Sequence, residues 1–432
     1  MNNYLKPPLA DIRLNKRFGF IIKKLFKSPD SSIPQVFRKW KEIKATYRFF
    51  GSKCIKYTDL VKLLKIKTLN LINKMSKTET ILLIQDTTEI NYTSQSKKKK
   101  GYIHSSNAGF LVHSLLAVKE NSNIIGLVNQ DIWMRKARDY GKRAERKNKP
   151  IEQKESYRWI QSIGKSKNIK KRSVLIGDRE SDIYELFIYK RPSNLELLVR
   201  ASHNRKLVSG ERLLEEMKNK TVDGVVLLKI PQKQKLIDIE FTIQYLNNIK
   251  IKRPEKKVNK DLNKNININC IRLYSKKEEI EWILLTTIEI TNLEEAKRII
   301  KMYSKRWIIE RFHYVLKSGC QIEKLQLKNA SSTKKAIVTY SEVALKILAL
   351  KKEVETEPNK RSTTLGKKEE EILERIERKM ELTNIEAVKA LGKLGGFIGR
   401  RSDGVPGVKS IWLGLKKLYT ILEFKYLLNN SG

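Results

Sequence analysis

Three cysteines in 432 residues, at Cys54, Cys270 and Cys320, are too few and too widely spaced for a disulfide framework or a thiolate metal site. They read as isolated thiols in a reducing cytoplasm. Four histidines, none paired at helical spacing, argue against a zinc centre. No run approaches the roughly 18 consecutive apolar residues of a membrane span. The start, MNNYLKPPLADIRLNKR, lacks the apolar core of a secretory signal. A soluble cytoplasmic protein with no membrane partner is expected. No P-loop sequence occurs, so the chemistry need not involve nucleotide hydrolysis.

Acidic residues are also scarce relative to basic ones. Lys and Arg number 90 against 47 Asp and Glu, a formal charge of +43. Such an excess attracts polyanions, and nucleic acid is the usual one. Abundant Lys, Ile and Asn together can also reflect an adenine- and thymine-rich genome. Charge alone names no chemistry.

Residues 1–75 read as a small basic helical module, with DIRLNKRFGFIIKKLF (11–26), QVFRKWKEIKATYRFFG (35–51) and DLVKLLKIKTLNLINKM (59–75) each amphipathic. From residue 79 short apolar runs take over. TILLIQD (80–86), FLVHSLLAVKE (110–120) and NIIGLVNQDIWMR (123–135) predict three strands. A helix (152–165), a strand SVLIGD (173–178), a helix (181–190) and a strand LELLVRAS (195–202) follow. That order predicts a mixed sheet flanked by helices, an α/β core of the RNase H-like kind. A β-rich insertion, about 206–290, interrupts it, with 250–269 expected as a long exposed loop. One helix is predicted over 292–317 and another over 331–354. The core thus spans 76–355, a linker 356–371, and a helical C-terminal domain 372–432.

Two aspartates, Asp86 and Asp178, each end an apolar run, on strands that neighbour each other in an RNase H-like sheet. On the predicted 292–317 helix, Tyr303, Arg306, Glu310 and Lys317 stand at offsets of three, seven and fourteen, within a sector of roughly 60°. A face with a phenol, a carboxylate and two cations is poor to bury and suited to lie against a phosphodiester. Asp86, Asp178 and Glu310 together make a hard-oxygen donor set for Mg²⁺. Two such ions roughly 3.5–4 Å apart activate a nucleophilic oxygen and stabilise the departing one.

The run Y303-SK-R306-WII-E310-RFHYVL-K317 resembles the Y-x2-R-x3-E-x6-K signature of DDE transposases of bacterial insertion sequences, the cut-and-paste, insertion-sequence-four type. IQDTTEINYTSQ, VHSLLAV and GDRESDIYEL are similar to its core blocks. DIRLNKR and KATYRFFG resemble its DNA-binding module, and LGKLGGF its terminal helical domain. The resemblance implies a metal-binding catalytic triad of Asp86, Asp178 and Glu310, with two Mg²⁺ that Mn²⁺ can replace. It implies phosphate contacts from Arg306 and Lys317, and a contact of Tyr303 beside a flipped nucleotide. Trp282 stands where the group stacks a tryptophan on that base; without the resemblance it reads as a core tryptophan. Arg17 and Arg48 match basic positions of the end-binding module. Arg200, and more weakly His203, would approach DNA. Thr87, Thr88, Glu180 and Asp182 would support the site rather than bind metal. Lys97–Lys100 touch flanking DNA or form a solvated loop. The implied function is a transposase that binds terminal inverted repeats as a homodimer, nicks, forms a hairpin and transfers strands into target DNA, near the bacterial nucleoid. The rivals are an RNase H-fold nuclease without strand transfer and a decayed, inhibitory DNA-binding copy.

Overall fold

The computed structural model describes residues 9, 11–92, 101–104, 107–136, 149–232, 235–254, 265–400 and 403–428. Lys97–Lys100 lie outside them. Four helices come first: α1 (Ile12–Lys27), α2 (Ile33–Phe37), α3 (Trp40–Gly51) and α4 (Tyr57–Lys74). Asp11 caps α1 by accepting the Arg13 N–H at 2.8 Å, relieving one of the free donors at a helix start. Phe18, Ile21, Ile22, Leu25 and Phe26 form the buried stripe of α1, and Phe18 stacks on Phe49 of α3 at 6.1 Å. The opposite side of α3 exposes Trp40, Lys41, Lys44, Tyr47 and Arg48.

The sheet follows, with β1 (Ile81–Asn91), β2 (Gly109–Lys119) and β3 (Ile124–Trp133) pairing antiparallel. After α5 (Tyr157–Ser166), β4 (Ser173–Gly177) joins β1 in parallel. After α6 (Tyr184–Ile188), β5 (Leu195–Arg200) joins β4 in parallel. These five give the order β3-β2-β1-β4-β5 of an RNase H-like core. Asp86 does not end its strand, as the apolar run suggested: β1 continues to Asn91 because β2 supplies partners all along it, Asp86 opposite Ser114.

The insertion is part of the same sheet. Beyond α7 (Leu213–Asn219) come β6 (Gly224–Gln232), β7 (Lys235–Ile251), β8 (Ile266–Ser275) and β9 (Ile280–Thr286). β9 pairs antiparallel with β5, Arg200 opposite Leu284, so nine strands run β3-β2-β1-β4-β5-β9-β8-β7-β6. The segment 250–269 is shorter as a connection than its polar composition suggests. Ile251 pairs with Ile266 and Ile249 with Ile268, whose buried side chains hold both strand ends in the sheet.

The helix expected over 292–317 is broken. α8 (Leu293–Ser304) and α9 (Trp307–Tyr314) are joined by i→i+3 bonds, Lys305 N–H to Met302 O (3.1 Å) and Arg306 N–H to Tyr303 O (2.9 Å). A π-turn at Val315–Gly319 follows. A tight turn and then a wide one interrupt the helix, yet Tyr303, Arg306 and Glu310 still neighbour one another, Arg306 meeting Glu310 at 2.7 Å.

α10 (Ala330–Thr356) packs against α1, α3, α4, β3 and α9, and its buried positions run from Ser332 to Val354. Buried Lys335 on it donates to Ser52 O at 2.6 Å, and Glu342 pairs with Lys67. The polar stretch 356–371 is held rather than free. Ser362 and Thr364 donate to Glu353 at 2.9 and 2.7 Å, and Leu365 is buried. α11 (Lys367–Glu377), α12 (Asn384–Leu394) and α13 (Val408–Leu428) close the chain.

Glycine decides how α12 meets α13. A Cβ on Gly414 would stand 1.9 Å from Leu391 O, and one on Gly395 1.9 Å from Ser410 O. Backbone, not a movable side chain, fills that space. Gly414→Ala is therefore expected to destabilise the C-terminal packing by about 1–3 kcal/mol, seen as a lower urea midpoint. Gly51→Ala, where a Cβ meets nothing within 4 Å, is expected to be neutral or to stabilise by up to about 1 kcal/mol.

Candidate active site

The parallel pairing of β1 and β4 places the first two candidate groups. Ile84 pairs with Ile176 in the parallel register, so Asp86 and Asp178, each two residues further on, leave adjacent strands at the same level. Side chains two apart share a face. Leu82, Ile84, Val174 and Ile176 bury on the face that also receives Ile309 and Phe312 of α9. Asp86 thus faces the helix that carries Glu310, and α9 packs on β1.

Electrostatics agrees with this placement. Burial pushes the Asp86 carboxyl up to about 7, and the charges of Asp178 and Glu310 push the same way, against the Thr87 N–H and Arg306. Like charges brought together in a poorly solvated place disfavour ionisation. The Thr87 N–H donates to Asp86 Oδ1 at 2.7 Å. Asp178 Oδ1 accepts the Glu180 N–H at 2.9 Å, capping the short turn Arg179–Ser181. A Cβ at Gly177 would lie 2.2 Å from Ser181 Oγ, which itself donates to Asp178 O at 2.6 Å. Only glycine lets this turn fold so tightly beneath Asp178. Burial, with Asp178 and Glu89 nearby, also raises Glu180.

Glu310 is held by Arg306 at 2.7 Å. Burial opposes the charge of Arg306, but Tyr303, Glu310 and Asp86 outweigh it and raise its pKa. Among the described residues no group of three or more His, Cys, Asp or Glu stands close enough to hold a metal ion as placed. The donor chemistry nonetheless fits a divalent cation. Three carboxylates share one electrostatic field, and one of them is driven toward neutrality by burial first and by the charges of the other two in addition. They are not yet closed into a cage.

The remaining signature groups are more buried than a DNA-facing surface would be. Tyr303 is 2% and Arg306 9% exposed. They are covered because Trp282 of β9, 5% exposed, packs edge-on to Tyr303 at 5.4 Å and against Phe241 at 6.0 Å. Trp282 is thus a core tryptophan in this state, and stacking on a base requires it to leave that pocket. Arg200 lies over Trp282 at 5.6 Å and donates to Glu281 O at 3.1 Å. Tyr303 Oη, Arg306 Nε and Arg200 Nε are buried with no hydrogen-bond partner. Burial raises Tyr303 and lowers Arg200. Lys317 is half-buried in the π-turn. Arg17, beside the Phe20 ring at 5.6 Å, and exposed Arg48 lie on α1 and α3, in the N-terminal helices. His203 is represented here by its backbone N–H, which donates to Asp182 at 3.1 Å.

On the opposite face of β1 lies a polar network that no spacing in the sequence announced. His113 of β2 is buried, with Nδ1 2.9 Å from Thr87 Oγ1 and Nε2 3.2 Å from Gln85 Oε1. Trp159 packs on its ring at 4.9 Å. Burial, then Arg158, pushes His113 down to about 3. A neutral imidazole satisfies both neighbours, donating from Nε2 and accepting the Thr87 hydroxyl at Nδ1. His113 thereby anchors the residue that follows Asp86. The signal was its place in VHSLLAV, legible only once Thr87 is known to face it across the strand pair.

A sheet of RNase H-like order with one aspartate within β1, another just past β4 and a helix-borne glutamate is the arrangement of a class of metal-dependent phosphoryl-transfer enzymes. Comparison with known families narrows it. The family described as the transposase DDE domain matches residues 100–341, more than half of the chain, including Asp178 and Glu310. Asp86 stands just before that span. A transposase DNA-binding domain matches residues 6–55, and the transposase Tn5 dimerisation domain matches 344–428. The chain belongs to the DDE transposases, enzymes of metal-dependent DNA cleavage and strand transfer. Among solved structures, a piggyBac transposase synaptic complex with hairpin DNA aligns with 96% of this chain and 74% of that one, at 11% identity and a TM-score of 0.40. That likeness is too low to argue from.

Asp86 gives a pH-dependent stability with a defined sign. Its folded pKa, about 7, exceeds the ordinary 3.8, so the folded state binds the extra proton. Between those values stability falls as pH rises. Asp86→Asn is expected to raise the unfolding free energy at pH 8 by on the order of 1–2 kcal/mol, and to do little at pH 4. Denaturant titration at the two pH values measures this.

Proposed function

We propose that this chain is a cut-and-paste transposase of the Tyr–Arg–Glu–Lys group. As a homodimer it binds the terminal inverted repeats of its element. It then cuts, forms a hairpin and transfers strands at one centre built from Asp86, Asp178 and Glu310. The observation that carries the reading is the β1–β4 register beside α9. It supports three distant carboxylates acting on one another, and Asp86 near pH 7 is the electrostatic sign of it. The domain division of the reading is an end-binding module over 1–75, the core over 76–355 with its insertion, a connection over 356–371 and a dimerisation unit over 372–432.

The cofactors are two magnesium ions, replaceable by manganese, which between these carboxylates would supply activation of the attacking oxygen and neutralisation of the departing one. The residues themselves do the rest. Asp86 loses its proton as the site loads, so loading strengthens as pH rises toward 7 and above. Arg306 exchanges the Glu310 carboxylate for a DNA phosphate, leaving Glu310 free to complete the triad. Lys317 and Arg200 neutralise phosphates on either side. Tyr303 offers its unpartnered hydroxyl to the terminal phosphate. Trp282, once out of its pocket, stacks on an extruded base, an interaction of about 1–3 kcal/mol. Each step replaces one P–O bond by another. Water attacks and a 3′ hydroxyl leaves; that hydroxyl attacks the opposite strand, closing the hairpin and releasing the flanking DNA. A second water opens the hairpin, and the freed 3′ end attacks target DNA. The protein acts in the bacterial cytoplasm at the nucleoid.

With end DNA and Mg²⁺, the wild-type protein is expected to yield hairpin ends on a denaturing gel. Asp178→Ala is expected to bind the same DNA without cutting it; cutting by that variant would overturn the assignment. Arg48→Ala is expected to weaken end binding for all sequences alike. It should reduce the slope of log K against log salt by about 1, measured by fluorescence anisotropy across salt concentrations.

A further inference from the structure

We propose that Asp182 is a positioning residue that fixes the aim of Asp178 by tying the exit of β4 to the exit of β5. This rests on the reading of Asp178 as a metal ligand. The Asp182 side chain has no exposed surface, and that of its partner Arg205 is 9% exposed. Every acceptor position of the carboxylate is occupied. Oδ2 accepts the Ser202 N–H at 2.8 Å, the His203 N–H at 3.1 Å and the Ser202 hydroxyl at 3.3 Å. Oδ1 accepts Arg205 Nε at 3.2 Å and also Arg205 Nη2. The same Nη2 donates to the Asp182 carbonyl at 3.0 Å.

A carboxylate engaged by five donors has no lone pair to spare for a cation. Its acidity is used within the protein. What it joins is specific. Asp182 closes the turn that begins at Asp178, through Ser181 N–H to Asp178 O at 3.1 Å and Asp182 N–H to Arg179 O at 3.2 Å. Ser202, His203 and Arg205 follow β5, whose last residue, Arg200, lies over Trp282. Strands β4 and β5 are parallel neighbours, Gly177 opposite Val199. Past those residues no ladder hydrogen bond links the two chains. The Asp182 carboxylate supplies the link there, four residues from Asp178. Groups of this kind behind a metal ligand typically change metal affinity about 10–100-fold when removed.

The test uses the full chain bound to pre-cleaved end DNA and titrates Mn²⁺ by electron paramagnetic resonance, the DNA alone serving as the blank, with thermal melting and end-DNA binding measured alongside. Asp182→Asn keeps the shape and an acceptor for the Ser202 and His203 N–H groups but loses the charge that holds Arg205. It is expected to weaken Mn²⁺ binding by about tenfold or more while end-DNA binding stays unchanged. Arg205→Lys, which keeps a cation but offers no fork, is expected to give a smaller loss, and it carries the test if Asp182→Asn does not fold. A folded variant of either kind with a lower melting temperature and unchanged Mn²⁺ affinity would overturn the positioning role. Asp178→Ala separates the two levels. If it too leaves Mn²⁺ binding intact, the carboxylate reading itself fails, and the role of Asp182 falls with it.

Discussion

Two parallel strands in register are the constraint on which the rest of this molecule turns. Pairing Ile84 with Ile176 brings Asp86 and Asp178 out at one level, and every other feature of the site answers to that juxtaposition. Burial under a packed helix, with other carboxylates beside it, raises Asp86 to about 7. That cost persists only because the surrounding structure holds it. The β2 ladder extends β1 past Asp86, His113 grips Thr87 behind it, and the Gly177 turn folds beneath Asp178. Strain of this sort, maintained at a site and stabilised elsewhere, is characteristic of functional centres.

The cationic groups are stored in the same spirit. Arg306 occupies Glu310, and Arg200 and Tyr303 shelter with Trp282 under the strands of the insertion. Buried polar atoms without partners, such as Tyr303 Oη and Arg306 Nε, are costly in a core. Under the proposed reading, a phosphate would satisfy them. The insertion, by continuing the core sheet through β9, delivers Trp282 to that place.

Much of this was legible in the chain. Apolar runs of strand length, helical periodicity and their order gave the RNase H-like core, because each of those signals is local. Asp86 and Asp178 stood out because each closes an apolar run, and Glu310 because it stands in the Tyr303–Lys317 signature. What escaped was whatever depends on a partner across the fold. The Tyr303–Lys317 segment keeps a helical pattern in sequence, yet a tight turn before Trp307 and a wide one after Tyr314 break it on either side of the Arg306–Glu310 pair. Trp282 and Tyr303 are polar-edged aromatics whose burial is decided by Phe241 and Arg200, distant in the chain. The 356–371 stretch looks like a tether in composition, but Glu353 collects its hydroxyls. His113 sits in the VHSLLAV block and Arg205 in no block, but the role of each exists only through a partner, Thr87 and Asp182.

Anomalous diffraction from crystals of the protein grown with Mn²⁺ and end DNA tests the central claim most directly. Manganese density touching Asp86, Asp178 and Glu310, with Arg306 turned from Glu310 to a phosphate, is what this account requires. Manganese bound elsewhere, or Arg306 still seated on Glu310 while the metal is present, would contradict it.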